Sequence, residues 1–185
     1  FAGVTRARQN LLDAAYRTPL GQQSKYEAIG DAATALQGVL GDINGANLGT
    51  ALTDFFNAWH DLSTGPEDMA IRQVVVDQAA VLADFFQSAS RRLDSIDSGL
   101  DLTVNESATD INSLLQRMAD MSREIQQAEL GGSTAADLRD QRDVLLDRLS
   151  AYMDVSVTDL GNGLMDVRAN GEALVTGLNA FAVQV

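Results

Sequence analysis

The feature that most constrains the fold of this chain is a narrow apolar stripe between residues 111 and 128. Its members alternate at spacings of three and four residues: Ile111, Leu114, Met118, Met121, Ile125 and Ala128. These are a and d positions of a heptad, the pattern of a helix that buries one seam against other helices. At 1.5 Å per residue the seam is roughly 27 Å long. The stripe therefore predicts a body of long helices packed side by side.

Apolar residues at helical spacing predict further helices along most of the chain. The predicted segments are 2–17, 26–40, 49–62, 66–98, the heptad segment 104–130, and a last helix that ends at Met153. Pro19 disfavours helical geometry at Thr18 and predicts an interruption there. Residues 41–49, rich in Gly and Asn, predict a loop. Gly99 predicts a mild break before the heptad segment.

Two helix starts have a specific predicted chemistry. Pro66 suits the first helical position, because its missing N–H would be unpaired there in any residue. Thr134 and Asp137 fit the Thr-x-x-Asp pattern of a capping box, and they predict the start of the last helix after Gly131 and Gly132.

After Met153 the apolar period changes from 3.6 to 2, which predicts strands. Val155 alternates with polar neighbours, and Asn170-Gly171 is typical of a β-hairpin turn because both residues tolerate positive φ. The remaining strand and turn candidates are Val157, Gly161-Asn162-Gly163, Met165, Val167, Leu174-Val175 and Phe181 to Val185.

The predicted fold is mainly α: an elongated antiparallel bundle of long helices with a small C-terminal β-hairpin element. We expect an elongated helical bundle domain over residues 1–153. Residues 154–185 are expected to form a β-rich segment that begins an outer domain. Because the chain begins at Phe1 without a methionine, we expect it to be part of a longer protein.

Charge and cysteine content exclude several classes of function. Thirteen basic residues stand against 26 acidic ones, for a net charge of -13, and Lys25 is the one lysine. Such an acidic chain repels phosphate backbones and anionic membranes, so neither nucleic acid nor membrane is an expected partner. The absence of cysteine excludes disulfides and thiolate metal sites. No run of 18 apolar residues occurs, so no membrane span is predicted.

Aromatic and carboxylate clusters have structural explanations. His60 is the one histidine, and we interpret it as a helix-surface residue. Trp59 with Phe55 and Phe56 would suit ligand stacking, but their helical spacing favours core anchors. Acidic pairs lie along single helices, where neighbouring arginines such as Arg139, Arg142 and Arg148 favour a solvated, ion-paired face. These pairs are Asp94 and Asp97, Asp137 and Asp140, and Asp143 and Asp147.

No catalytic, cofactor-binding or metal-ligating residue is predicted. A calcium site near Asp154, Asp159, Asn162 and Asp166 does not fit the spacing of an EF-hand loop. The glycines of this region do not match a phosphate-binding loop. Met118 and Met121 on the stripe would suit an adaptable partner surface, or internal packing against the 69–98 and 137–153 helices, and we favour internal packing.

Three stretches together resemble the flagellar hook-associated protein 1 family, the bacterial hook–filament junction protein. The first runs from Leu52-Thr53-Asp54-Phe55-Phe56 to Gly65-Pro66-Glu67-Asp68-Met69-Ala70-Ile71-Arg72. The second is Asp110-Ile111-Asn112-Ser113-Leu114 with Glu124-Ile125. The third is the helix around Asp140-Gln141-Arg142-Asp143, which leads into the Asn170-Gly171 hairpin. The resemblance covers roughly residues 48 to 176.

The resemblance implies a structural subunit of the flagellum that forms an axial ring by lateral packing of helical domains. It implies export through the flagellar apparatus without a cleaved signal peptide, an extracellular location, and neither enzymatic activity nor cofactor. Implied partners are copies of itself, the hook protein and the second junction protein. An export chaperone would bind a C-terminal segment that this chain lacks, as it lacks the family's other heptad-bearing terminus.

Three alternatives remain open at this point. A helical ligand-binding or sensor module would need a pocket with converging polar groups. Flagellin and related axial proteins share the general helical plan. A metal-dependent enzyme on a helical bundle would need Glu-x-x-His repeats, which are absent from the sequence.

Overall fold

A computed structural model of the protein describes residues 10–41, 48–132 and 134–185. Four helices come first: α1 (Asn10–Gly41), α2 (Leu48–Thr64), α3 (Met69–Glu129) and α4 (Ala136–Ser150). Four strands follow: β1 (Ser156–Gly161), β2 (Leu164–Ala169), β3 (Glu172–Thr176) and β4 (Asn179–Ala180). The mainly α class with a C-terminal β element is therefore confirmed.

Two predicted breaks between helices are wrong. Pro19 lies inside α1, which continues through it to Gly41, while predicted residues 2–9 lie outside the described part. Likewise, the predicted 66–98 and 104–130 helices are one helix of 61 residues, with Gly99 in its interior. A mid-helix glycine costs only about 1 kcal/mol relative to alanine, which the helical residues on both sides offset. Of the predicted 41–49 loop, residues 42–47 lie outside the described part.

Both predicted helix starts are also wrong in detail. Helix α3 begins at Met69, and Pro66 lies in the turn before it, where its carbonyl accepts a hydrogen bond from Arg72 Nε at 2.7 Å. Asp68 Oδ1 accepts from the Ala70 N–H at 2.8 Å and so satisfies a free donor of the first turn. The N-cap residue of α4 is Ala135 and not Thr134, and no side-chain hydrogen bond caps the helix there. Thr134 and Asp137 therefore do not form the predicted capping box.

The chain divides into two compact units. One unit contains residues 1–28 and 103–185, and the other contains residues 29–102. The predicted outer domain beginning at residue 154 stays a prediction.

In the unit of residues 1–28 and 103–185, the sheet and the two helices share one core. The core residues come from α3 (Ile111, Leu114, Leu115, Met118), α4 (Leu145, Leu146, Leu149), β2 (Met165, Val167) and β3 (Leu174, Val175). Met118 is fully buried here, which confirms internal packing of this methionine. The predicted cover from residues 69–98 is wrong, because these residues belong to the same helix as the stripe.

The buried face of α3 is broader than the predicted heptad seam. Leu115, Ala119 and Ser122 form a second buried row, whereas Ala128 is exposed. A helix covered by both a helix and a sheet needs an apolar face wider than a two-position seam.

The four strands form an antiparallel sheet in the order β1-β2-β3-β4. Asn170 and Gly171 have φ of 51° and 87°, which confirms the predicted hairpin turn. The predicted strand from Phe181 to Val185 is wrong, since the last strand is Asn179–Ala180. The Asn112 side chain instead holds this segment to α3: its Oδ1 accepts from the Val183 N–H at 2.8 Å, and its Nδ2 donates to the Val183 carbonyl at 3.0 Å.

Candidate functional site

The residues considered for chemistry do not form a reactive site. His60 lies exposed on α2, as predicted, and Asp94, Asp97 and Asp137 lie exposed along their helices. Among residues 10–41, 48–132 and 134–185, no three His, Cys, Asp or Glu side chains are grouped so that they could hold a metal ion. Over the same residues, no helix is both long and apolar enough to cross a membrane.

Aromatic side chains of α2 were expected in the core, and for two of them this is wrong. Phe56 and Trp59 are 62% and 57% exposed, while Phe55 is half-buried and its ring centroid lies 6.2 Å from that of Trp59. The buried residues of α2 are Ala51 and Ala58, so the helix packs through its small side chains. The larger aromatic rings are left on a neighbouring, open face.

A second heptad on α3 is only half covered. We call it the 82–100 seam; its members are Leu82, Phe86, Ala89, Leu93, Ile96 and Leu100. One row, Leu82, Ala89 and Ile96, is buried or half-buried. Val39 and Phe85 complete the buried cluster around Ala89, with Leu48 and Ile96 packed against it.

The other row of the 82–100 seam is open. Phe86, Leu93 and Leu100 are 53%, 42% and 46% exposed. In a packed coiled coil, partner helices bury both rows. Helical spacing predicts an apolar face on the 66–98 helix that includes all members of the seam except Leu100. The seven-residue spacing of Phe86, Leu93 and Leu100 was the signal that could have shown the second row.

The unit that carries the 82–100 seam is strongly acidic. Residues 29–102 include eleven Asp and Glu residues but only three arginines.

Two concavities formed by the described residues were considered as ligand sites. One, of about 270 Å³, lies between α2 and α3 and is lined by Ala58, Asp61, Thr64, Ile71 and Val74. The other, of about 400 Å³, lies beside the end of α3 and includes Glu129 and Asn162 in its lining. Neither holds a buried set of converging polar groups of the kind that a small-molecule site requires.

An ion pair closes the connection between α3 and α4. Arg139 Nε and Nη2 donate to Glu129 Oε1 and Oε2, each at 2.8 Å. Glu129 Oε1 also accepts from the Ala135 N–H at 2.9 Å. The side chain that accepts a backbone N–H at the start of α4 is therefore Glu129 and not Thr134. The Arg139 hydrogen bonds lower the pKa of Glu129 to about 2, against desolvation by burial.

The predicted solvated face of α4 is wrong at Arg142 and Asp143, which are buried. Arg142 Nη1 donates to Ser122 Oγ on α3 at 3.3 Å and to the carbonyl of Gly163 in the β1–β2 turn. The Arg142 guanidinium therefore joins α3, α4 and the sheet at one point.

Two charged residues of α4 pair with residues on other helices. Asp147 Oδ1 accepts from Arg17 Nε of α1 at 2.8 Å, and Arg17 is itself buried. Arg139 pairs with Glu129 of α3. The charges of α4 therefore hold α1 and α3 in place, a structural use that local spacing does not reveal.

Comparisons with known proteins place this arrangement in a family. A family profile described as "Flagellar hook-associated protein FlgK helical domain" matches residues 33–185. Flagellar hook-associated protein 1 of Bacillus subtilis is 29% identical over 182 residues, which are 98% of this chain and 34% of that protein. The chain thus spans about a third of the length of that curated relative.

A solved structure has the same fold. The flagellar hook junction protein FlgK from Burkholderia pseudomallei superposes with a TM-score of 0.78 at 24% identity, over 94% of this chain and 30% of that one. At this identity the likeness concerns the fold. The profile covers most of the chain, and the chain therefore belongs to the flagellar hook-associated protein FlgK helical domain family.

Proposed function

We propose that this chain is the helical part of a structural subunit at the hook–filament junction of the bacterial flagellum. The observation that carries the proposal is the family match over residues 33–185. The subunit works by packing helices laterally and performs no catalytic step. This role agrees with the exposed position of His60 and with the use of the buried charges of α4 to join helices.

The 82–100 seam supports lateral packing as the mode of assembly. Its open row would bury three large side chains against a neighbouring helix: Phe86, Leu93 and Leu100. Burial of a leucine or phenylalanine side chain is worth about 1.5–3 kcal/mol, so the row offers a substantial driving force.

The acidic charge of residues 29–102 favours contacts between unlike faces. Face-to-face pairing of two copies through this unit would bring acidic surfaces together. A contact between two different faces is heterologous, and heterologous contacts generate rings or helical assemblies. An axial ring is the assembly that we propose.

The expected partners are copies of the same protein, the hook protein and the second junction protein. An export chaperone is expected on a C-terminal segment that lies outside these 185 residues. The expected location is the extracellular flagellum, reached without a cleaved signal peptide. Neither concavity described above has the buried converging polar groups that the sensor-module alternative would need.

The proposal is tested by deleting the gene in its source bacterium and restoring it from a plasmid. We expect the deletion to abolish filaments and swimming, and the intact gene to restore both. Electron microscopy of the cells should show hooks without filaments in the deletion strain. Normal filaments in the deletion strain would contradict the proposed function.

The same strain tests the 82–100 seam. A gene with Leu93→Glu and Leu100→Glu should fail to restore filaments. Val76→Glu is the matched control, because Val76 is an exposed apolar residue of α3 outside the seam, and it should restore them. Circular dichroism of each purified variant checks that it folds. Full motility with both seam substitutions would exclude this row as an assembly surface.

A further inference from the structure

Two turns of the sheet have the same dipeptide and the same backbone geometry. Asn162-Gly163 joins β1 to β2, with φ of 51° and 79°. Asn170-Gly171 joins β2 to β3, with φ of 51° and 87°. Both asparagines are exposed to water. The two turns share the Asn-Gly dipeptide but differ in what surrounds the glycine.

We propose that Asn170 is a site of spontaneous deamidation, and that the surroundings of Gly163 protect Asn162 from the same reaction. The Gly171 backbone nitrogen, after losing its proton to hydroxide, attacks Asn170 Cγ. The new N–Cγ bond forms as the Cγ–Nδ2 bond breaks, and ammonia leaves with a proton taken from water. Water then opens the succinimide ring at either carbonyl, which leaves aspartate or isoaspartate.

The attack requires the peptide between asparagine and glycine to rotate out of the turn. At Gly171 nothing opposes this rotation on the side-chain side: the position of a Cβ would have no neighbouring atom within 4 Å. The Gly171 carbonyl accepts one hydrogen bond, from exposed Arg168 Nη1 at 3.3 Å. Both partners of this bond can exchange it for water at little cost.

At Gly163 the same rotation is opposed from two sides. Gly163 is buried, and the position of a Cβ would lie 3.3 Å from Ile125 Cβ and 3.5 Å from the Gln126 backbone nitrogen. Its carbonyl accepts from the buried guanidinium of Arg142. Hydrogen bonds to charged groups are among the stronger ones in proteins, and breaking a buried one leaves both partners without water.

The test follows the folded protein in warm, mildly alkaline buffer and measures deamidation by mass spectrometry of tryptic peptides. The cleavage sites separate the two turns, because Asn162 lies in peptide 149–168 and Asn170 in the peptide that begins at Ala169. A third pair, Asn44-Gly45, lies outside the described residues and falls in peptide 26–72. Fragment sequencing separates Asn170 from Asn179.

We expect deamidation at Asn170 to be about tenfold to a hundredfold faster than at Asn162, the range that a lost charged hydrogen bond corresponds to. In concentrated urea the two rates should converge. The Arg142→Gln variant should accelerate the reaction at Asn162 and leave Asn170 unchanged. Equal rates in the folded protein, or a difference that persists in urea, would overturn the proposal.

Discussion

Glutamine at position 129 should weaken the connection between α3 and α4 in a pH-dependent way. The Glu129 carboxylate accepts two hydrogen bonds from Arg139 and one from the Ala135 N–H. Glutamine has one side-chain oxygen to accept a hydrogen bond, in place of two. Its NH2 group would face an N–H of the Arg139 guanidinium, so two donors would meet and one hydrogen bond would be lost. The first turn of α4 should therefore become less stable.

The pKa of Glu129 sets the size of the effect. A change from 4.5 to about 2 corresponds to at most about 3.4 kcal/mol. Solvent around the end of α3 screens this ion pair, so we expect about 1–2 kcal/mol. Because the folded-state pKa is the lower one, the stabilisation is complete above about pH 4.5 and is lost as the pH falls towards 2.

Urea unfolding of the wild type and of Glu129→Gln measures this difference. The gap between their free energies of unfolding should be constant near neutral pH and should narrow as the pH is lowered through 4.5. Amide hydrogen exchange should show the loss at the start of α4. Glu124→Gln, an exposed position on the same helix, is the control and should change little. A gap that is absent at neutral pH, or that does not change on acidification, would refute the ion-pair argument.

Three further predictions concern close packing. Gly163→Ala should cost about 2–4 kcal/mol, because its methyl group would overlap a buried side chain at positive φ. Gly171→Ala should cost only about 1 kcal/mol, because the positive φ is its one unfavourable feature. If urea unfolding shows Gly171→Ala to be the more destabilising of the two substitutions, this packing argument is wrong. Gly21→Ala places a methyl group 2.9 Å from a carbonyl of α4 and should cost about 1–3 kcal/mol. Gly30→Ala, in open space, should instead gain about 0.5–1 kcal/mol, and melting temperatures that shift alike would contradict this contrast. Arg142→Ala should cost about 2–4 kcal/mol and speed amide exchange in the β1–β2 turn; unchanged exchange there would argue against its joining role.

The sequence predicted the helical class and the hairpin turns because these features depend on local spacing. The apolar period of three and four residues identifies helices, and Asn170-Gly171 specifies its own backbone geometry. The predicted breaks at Pro19 and Gly99 were wrong because one unfavourable residue is outweighed by the helical residues on both sides of it. Proline in a helix costs about 3 kcal/mol, yet α1 continues through Pro19 while Arg17 pairs with Asp147, 130 residues away.

Burial was less predictable than helix position. Arg142 was expected in water because it is a charged residue on an amphipathic helix. Its burial depends on Ser122 and Gly163, which lie on other elements and cannot be identified from local spacing. The opposite error concerns Phe56 and Trp59, which were expected in the core but are exposed. An apolar side chain has the same spacing whether its own chain covers it or another molecule does.

The buried Arg142 guanidinium has a consequence for how α3 and α4 align. Helices that meet through a seven-residue repeat can slide by one repeat, a shift of about 10.5 Å, and still place apolar side chains against apolar side chains. After such a slip Arg142 would no longer meet the Ser122 hydroxyl, and its charge would lie buried against hydrocarbon. Apolar side chains hold the two helices together, and this single cation selects one alignment between them.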